Sequence, residues 1–199
     1  MTSPFPKDPK KLKDNLRRYE RELRQEQSRF GGYIDDSSGK RYLLGPMYLL
    51  LGDNAGAVKS FHWFATTFPD DIGEPGFLLC WTLALYRAGE TEAAVAKLRQ
   101  TMLANLYLIP YLLGQPQAEY DIWHGSSSDR TDYLQSIPPE LFGLWDEPAR
   151  QWVAAYYYGP ELTAIRERYI EIYRQLRQIP VGPERSALVK EAFRLQAGH

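Results

Sequence analysis

Residues 41–69 read RYLLGPMYLLLGDNAGAVKSFHWFATTFP. Apolar side chains recur every three or four residues on both sides of the turn residues Gly52-Asp53-Asn54. This spacing places them on one face of each of two α-helices. Because the connection is short, the two helices must run antiparallel. The stretch therefore predicts an α-helical hairpin.

A second hairpin follows at a fixed offset, with breaks at residues 69–76 and at Gly89-Glu90. Four positions with the same or a similar residue recur 37 residues apart. They are Gly52, Asp53, Ala57 and Phe61 in the first copy, and Gly89, Glu90, Ala94 and Leu98 in the second. A fixed period of this length is typical of helical repeat proteins.

The hairpins resemble tetratricopeptide repeats. The residues at the signature positions are Leu44, Gly45, Tyr48, Gly52, Ala57, Phe61 and Pro69, and then Gly89, Ala94 and Leu98. The run NLYLIPYLLG (residues 105–114) resembles one that follows such hairpins in suppression-of-tumorigenicity proteins. The resemblance covers residues 41–114 and implies an all-α, right-handed superhelix without implying any chemistry. Two departures are Pro46 inside the first helix, where we expect a kink or an early end, and Trp81-Thr82 in place of Leu-Gly.

The resemblance also implies a concave groove for a peptide or a protein partner. The corresponding positions are Tyr42, Leu49, Leu50, Leu79, Leu83, Tyr86 and Arg87. This groove would be apolar with one cation, and an apolar groove is normally covered by the chain itself or by a partner. The helices at Pro9–Arg29 and Pro160–Gln178 are the two candidates for covering it.

Charged and amphipathic helices are predicted at both ends of a single domain, 1–199. Residues 1–30 form a charged helix with the apolar stripe Leu12, Leu16, Tyr19 and Leu23, ended by Gly31-Gly32. This stripe could instead pair with a second copy and form a homodimer. Residues 115–147 look irregular, and residues 148–199 contain helices near 149–158, 160–178 and 184–195. In the first of these, Trp152 and Tyr156 are expected to be buried together with Trp145.

Charge is distributed unevenly, although 24 basic residues nearly balance 25 acidic ones. Residues 1–29 carry nine basic and five acidic side chains, whereas residues 30–160 carry eight and fifteen. The basic N-terminal helix suggests nucleic-acid binding as an alternative function. Its cations are Lys10, Lys11, Lys13, Arg17, Arg18, Arg21 and Arg24. Nucleic acid is nevertheless the less favoured partner, because the basic segment also carries acidic residues at i,i+3 or i,i+4 spacing, as a solvated helix face does.

No motif for catalysis, a metal or a cofactor is evident. His62 and His124 lack a histidine, cysteine or carboxylate at helical metal-ligand spacing. An enzyme using His124 with Asp121 or Asp129 remains a second alternative, because functional residues favour loops. The lone Cys80 sits in an apolar helix, so we expect a core thiol in a reducing compartment. With no apolar leader or membrane-length run, we expect a cytoplasmic, non-enzymatic protein-interaction module or scaffold.

Overall fold

A computed structural model describes residues 3–29 and 34–197, and within these ranges the chain contains helices and no strands. This confirms the predicted all-α class. The helices are α1 (Pro9–Arg29), α2 (Arg41–Leu50), α3 (Asn54–Thr67), α4 (Pro75–Arg87), α5 (Thr91–Ala104), α6 (Leu108–Leu112), α7 (Pro139–Gly143), α8 (Glu147–Tyr157), α9 (Pro160–Gln178) and α10 (Pro183–Ala197). Two short 3₁₀ helices lie at Ser127–Asp129 and Thr131–Ser136. The predicted helix end at Gly31-Gly32 lies outside the described residues.

The chain divides into two compact units. The first comprises Met1–Thr91 together with Pro138–Leu144, and the second comprises Glu92–Ile137 together with Trp145–His199. A segment of seven residues therefore leaves the second unit, packs with the first and returns.

In the first unit, α2, α3 and α4 pack on one another, and α1 and α7 pack on α2. Four aromatic rings from α3 and α4 form the centre of this unit. Phe61 stacks on Trp81 with a centroid distance of 5.3 Å, and Phe64 lies 4.6 Å from Phe77. Gly45 of α2 faces this cluster, where a Cβ atom would come within 2.4 Å of the Phe61 ring. The absence of a side chain at Gly45 is what lets α2 and α3 approach this closely.

The turns after α2 and α4 have the same backbone geometry, 37 residues apart. Gly52 and Gly89 have φ values of +75° and +77°, a region that glycine adopts readily. In each turn the glycine amide bonds to the carbonyl three residues earlier, and the next amide bonds to the carbonyl five residues earlier. These bonds satisfy the last free carbonyls of the preceding helix. The repeat seen in the sequence is thus also a repeat of local structure.

Helix α1 lies with its predicted apolar stripe inward. Leu12, Leu16 and Leu23 are buried and Tyr19 is half-buried. The stripe is therefore engaged within the chain.

In the second unit, α9 packs against α8 and α10, and α6 packs against α8. The loop after α6 is held by Asn105, which is buried. Its side-chain amide donates to the carbonyls of Ser128 (2.7 Å) and Arg130 (3.0 Å), and its carbonyl oxygen accepts from the Tyr107 amide. One buried side chain therefore fixes the middle of the first 3₁₀ helix and the residue that follows it.

Two local predictions are wrong. Helix α7 lies inside the stretch predicted to be irregular, because Pro139 occupies a first helical position, where proline fits well, instead of continuing a turn. In α8 the buried residues are Ala149, Val153 and Tyr157, while Tyr156 is exposed. Trp145 is buried as predicted, whereas Trp152 is half-buried, so Ala149, Val153 and Tyr157 form the inner face of α8 in place of Trp152 and Tyr156.

Candidate protein-binding site

The predicted groove positions differ widely in exposure. Three are buried, three are half-buried and one is exposed. The buried ones are Leu49, Leu79 and Leu83. The half-buried ones are Tyr42, Leu50 and Tyr86, and the exposed one is Arg87. Three of the seven side chains are therefore inaccessible to a partner in this structure. The accessible ones are Tyr42 and Leu50 on α2 and Tyr86 and Arg87 at the end of α4.

The chain's own segment 138–144 lies at the Arg87 end of this surface. Helix α7 packs on α2, and the Arg87 guanidinium donates to the carbonyl of Leu144 at 2.5 Å. The hydroxyl of Ser3 donates to the carboxylate of Glu140 on α7. Part of the predicted groove is thus occupied in cis, by a segment other than the two helices expected to cover it.

At the other end, Tyr42 belongs to a charged hydrogen-bond network. Arg41 donates from Nε to Asp71 Oδ2 at 2.9 Å and from Nη1 to the Asp36 carbonyl at 2.9 Å. The Tyr42 hydroxyl donates to the same Asp71 oxygen at 2.6 Å. Asp36 is buried and also accepts from the Arg41 amide at 2.7 Å. The network joins the start of α2 to the α3–α4 loop and fixes the position of the Tyr42 ring.

The network also changes the acidity of its members. Burial, followed by the hydrogen bond to Asp71, raises the pKa of Tyr42 to about 12. Burial by itself would raise the pKa of Asp71, but hydrogen bonds from Tyr42, the Gly73 amide and Arg41 outweigh it and lower that pKa. At neutral pH the network therefore holds the neutral Tyr42 phenol, the Asp71 carboxylate and the Arg41 guanidinium, which pairs with side-chain oxygens of both Asp71 (2.9 Å) and Asp36 (3.4 Å).

A cavity of about 590 Å³ opens beside Tyr42. Its lining is mainly apolar, with a carboxylate edge. The lining residues are Ile34, Tyr42, Thr67, Phe68, Pro69, Asp70, Asp71 and Ile72. Ile72 is 71% exposed, whereas Ile34 at the base is buried. A fixed ring, an apolar base and an exposed aliphatic rim are features that anchor a partner's apolar side chain.

A second cavity, of about 480 Å³, lies between α1, α2 and α3. Leu23 and Leu44 form its apolar part, Trp63 borders it, and Arg24 and Lys59 supply cations. The Tyr48 hydroxyl crosses it to donate to Glu20 Oε1 at 2.5 Å. That hydrogen bond links α1 to α2, so this cavity is part of the joint that holds α1 in place.

The histidine of the enzyme alternative has other partners than those expected. His124 Nε2 lies 3.3 Å from Glu119 Oε1 and 3.3 Å from the Tyr107 hydroxyl. Asp129 instead accepts from the amides of Gly125 and Ser126, and Asp121 pairs with Arg177. The predicted combination of His124 with Asp121 or Asp129 is not brought together.

Other reactive groups are in structural settings. Cys80 is buried, and burial raises the pKa of its thiol to about 12, so it is a poor nucleophile. His62 lies exposed on α3. Among the residues that the structure describes, no cluster of histidine, cysteine and carboxylate side chains could hold a metal ion. Over the same residues, no helix is both long and apolar enough to cross a membrane.

Arg41, Asp36 and Asp71 are the site residues that sequence reasoning missed. Both aspartates occur in pairs beside turn residues, and such pairs usually form turns and helix caps. They do so here, since Asp36 accepts from the Lys40 and Arg41 amides and Asp71 from the Gly73 amide. Their shared contact with Arg41 spans 30 residues of sequence and leaves no local signal.

Compared with known proteins, the chain matches no protein-family model, no curated protein and no solved structure.

Proposed function

We propose that residues 41–114 form tetratricopeptide-like hairpins of a right-handed superhelix. The contact of Gly45 with Phe61 supports this, because both occupy signature positions and meet where two helices of such a hairpin cross. The matching turns at Gly52 and Gly89 support it independently, because their φ values and hydrogen bonds recur at the period seen in the sequence.

We propose that the chain is a non-enzymatic protein-interaction module whose binding site is the cavity beside Tyr42. The observation that carries this is the cavity itself, which combines a preorganised ring, an apolar base and the exposed Ile72. Large exposed aliphatic side chains beside a concave site are typical of interaction surfaces. Arg41 already pairs with both Asp36 and Asp71, so a partner need not supply an acidic group to hold it.

The partner of this site is a peptide segment with an apolar anchor next to a cation. The Arg41 guanidinium already lies over the Tyr42 and Phe68 rings, at 4.4 and 5.1 Å. The anchor would therefore pack on the apolar lining at Ile34 and Ile72, and the cation would face Asp70, which is exposed. Asp70 has no ion pair with any residue that the structure describes. Electrostatic attraction at such a rim increases the association rate and selects partners more than it adds affinity.

A peptide-display selection on the intact chain tests this function. The displayed library is selected on wild-type protein and counter-screened on Ile72→Ala, with Val181→Ala as the matched control because Val181 is 95% exposed in the second unit. We expect peptides that pair an apolar residue with a lysine or arginine, retained by Val181→Ala and lost on Ile72→Ala. Selected peptides that bind all three proteins alike would refute this binding site.

We also propose that the chain works in a reducing compartment such as the cytoplasm. Its one cysteine is a buried thiol, and disulfide-stabilised proteins of oxidising compartments use cysteines in pairs. Fractionation of the cells that produce the protein would test this, and recovery with secreted proteins would contradict it.

A further inference from the structure

The orientation of α1 is fixed from three sides. Leu12, Leu16 and Leu23 are buried beneath it. On its flanks, Glu20 accepts from Tyr48 at 2.5 Å and Glu22 lies 3.0 Å from Lys40 Nζ. With these contacts made, the opposite side of the helix must face solvent.

That outer side is a line of cations. At about 100° per residue, Lys10, Lys13, Arg17, Arg21 and Arg24 fall within an arc of about 80°, whose centre lies about 120° around the helix from that of the buried leucines. All five are exposed. Neighbours are separated by about 4.5–6 Å of helix rise, so this basic ridge is about 21 Å long.

Few acidic groups neutralise the basic ridge. Glu20 and Glu22, which lie on the flanks, pair with Arg24 (3.5 Å) and Arg18 (3.9 Å). The other four ridge cations have no ion pair with any residue in the described ranges 3–29 and 34–197. Two carboxylates on α1 border the ridge, Asp14 at one edge and Glu20 at the other. The ridge therefore keeps a strong local positive charge on a chain whose formal net charge is −1.

The composition of the ridge selects the class of partner. A protein partner needs a buried apolar centre for its affinity, and isolated surface ion pairs contribute about 0–1 kcal/mol each. The ridge has no apolar residue, since Leu12, Leu16 and Leu23 lie on the other side. A nucleic acid needs none, because cations that contact its phosphates release condensed counterions and gain affinity from that release.

We propose that the basic ridge of α1 binds the phosphate backbone of nucleic acid without reading its sequence. Phosphate contacts position a protein but carry no base information, and the ridge has no aromatic side chain on which a base could stack. Residues 30–160 carry fifteen acidic side chains against eight basic ones, so this part of the chain disfavours phosphate contact. This site is separate from the cavity beside Tyr42, so either proposal can fail while the other stands.

The test compares two triple variants of the intact chain in fluorescence anisotropy with a labelled single strand of mixed sequence. The ridge variant is Lys13→Gln/Arg17→Gln/Arg21→Gln. The control, Arg174→Gln/Lys190→Gln/Arg194→Gln, removes the same charge from exposed positions of the second unit. Because all six side chains are exposed, both variants should keep the wild-type melting temperature.

Salt dependence gives the quantitative result. With about four phosphates contacted, the wild-type affinity should fall about 50-fold between about 50 mM and 200 mM salt. The affinity of the control variant should fall by the same factor. The ridge variant should bind weakly, and its affinity should fall only about threefold over that range. Each single change, such as Arg17→Gln, should reduce the logarithmic slope by about 0.7.

Three results would overturn the proposal. One is the absence of any binding by the wild type at about 50 mM salt. Another is a ridge variant that keeps the wild-type slope. The third is binding to polyglutamate or to phosphatidylserine vesicles with none to nucleic acid, which would assign the ridge to an acidic protein or to a membrane surface.

Discussion

Replacing Gly45 with alanine separates the packing of the first unit from helix propensity, because the two effects have opposite signs. In a helix interior, alanine is about 1 kcal/mol better than glycine, so propensity alone predicts a more stable protein. The structure predicts the reverse. The new Cβ would lie 2.4–2.9 Å from three atoms of the Phe61 ring.

The Phe61 ring has little room to move. It is fully buried, stacked on Trp81 at 5.3 Å and in edge contact with Phe77 at 5.1 Å. Overpacking of this kind costs about 1–3 kcal/mol, and the clamped ring places Gly45→Ala in the upper part of that range. After the propensity gain is subtracted, we expect a net loss of about 1–2 kcal/mol of unfolding free energy.

Urea unfolding followed by both circular dichroism and tryptophan fluorescence measures this loss. With a slope of about 2 kcal/mol per molar, the midpoint should fall by about 0.5–1 M. Gly143→Ala is the matched control, because nothing lies within 4 Å of the added Cβ and its midpoint should be unchanged or slightly raised. A Gly45→Ala protein as stable as the wild type would refute the close packing of α2 on α3.

Three further outcomes follow from the structure. Leu16→Ala should lower the unfolding free energy by about 2–3 kcal/mol because Leu16 is buried, while the adjacent exposed Arg17→Ala should leave it unchanged in the same denaturation assay. The lowered pKa of Asp71 means that its carboxylate stabilises the fold above the ordinary value of 3.8 and that this contribution is lost as the pH falls through the lower folded value. Asp71→Asn should therefore melt lower than the wild type at neutral pH and lose less stability on acidification, and parallel melting curves across pH would contradict this. The Cys80 thiol, whose pKa is about 12, should resist a thiol reagent in the native protein and react once urea unfolds it; rapid native labelling would show that its helix opens readily.

Local features of the sequence predicted the helices and the repeat. The spacing of Leu12, Leu16 and Leu23 gave both the extent of α1 and its buried face, because a regular three-four alternation determines which side of a helix is apolar. Gly52 and Gly89 marked two turns, because many helices are followed by a residue in the left-handed backbone conformation, which is usually glycine.

The predictions that failed concern contacts between residues far apart in the sequence. The return of segment 138–144 to α2 brings together residues about 90 positions apart, and hydrophobic periodicity contains no information on such pairs. The same applies to Arg41, which joins Asp36 to Asp71. In α8 Trp152 and Tyr156 are spaced for one face and Ala149, Val153 and Tyr157 for another, and the second face is the one that tertiary packing buries.

The proposed binding site can be tested most directly by titrating the best selected peptide against three full-length proteins. Removing the Ile72 side chain eliminates apolar contact worth about 1.5 kcal/mol or more, which corresponds to at least about tenfold in affinity. We therefore predict that Ile72→Ala binds at least about tenfold more weakly than the wild type and that Val181→Ala binds equally well. Equal affinity of Ile72→Ala and the wild type would contradict the assignment of the Tyr42 cavity as the protein-binding site.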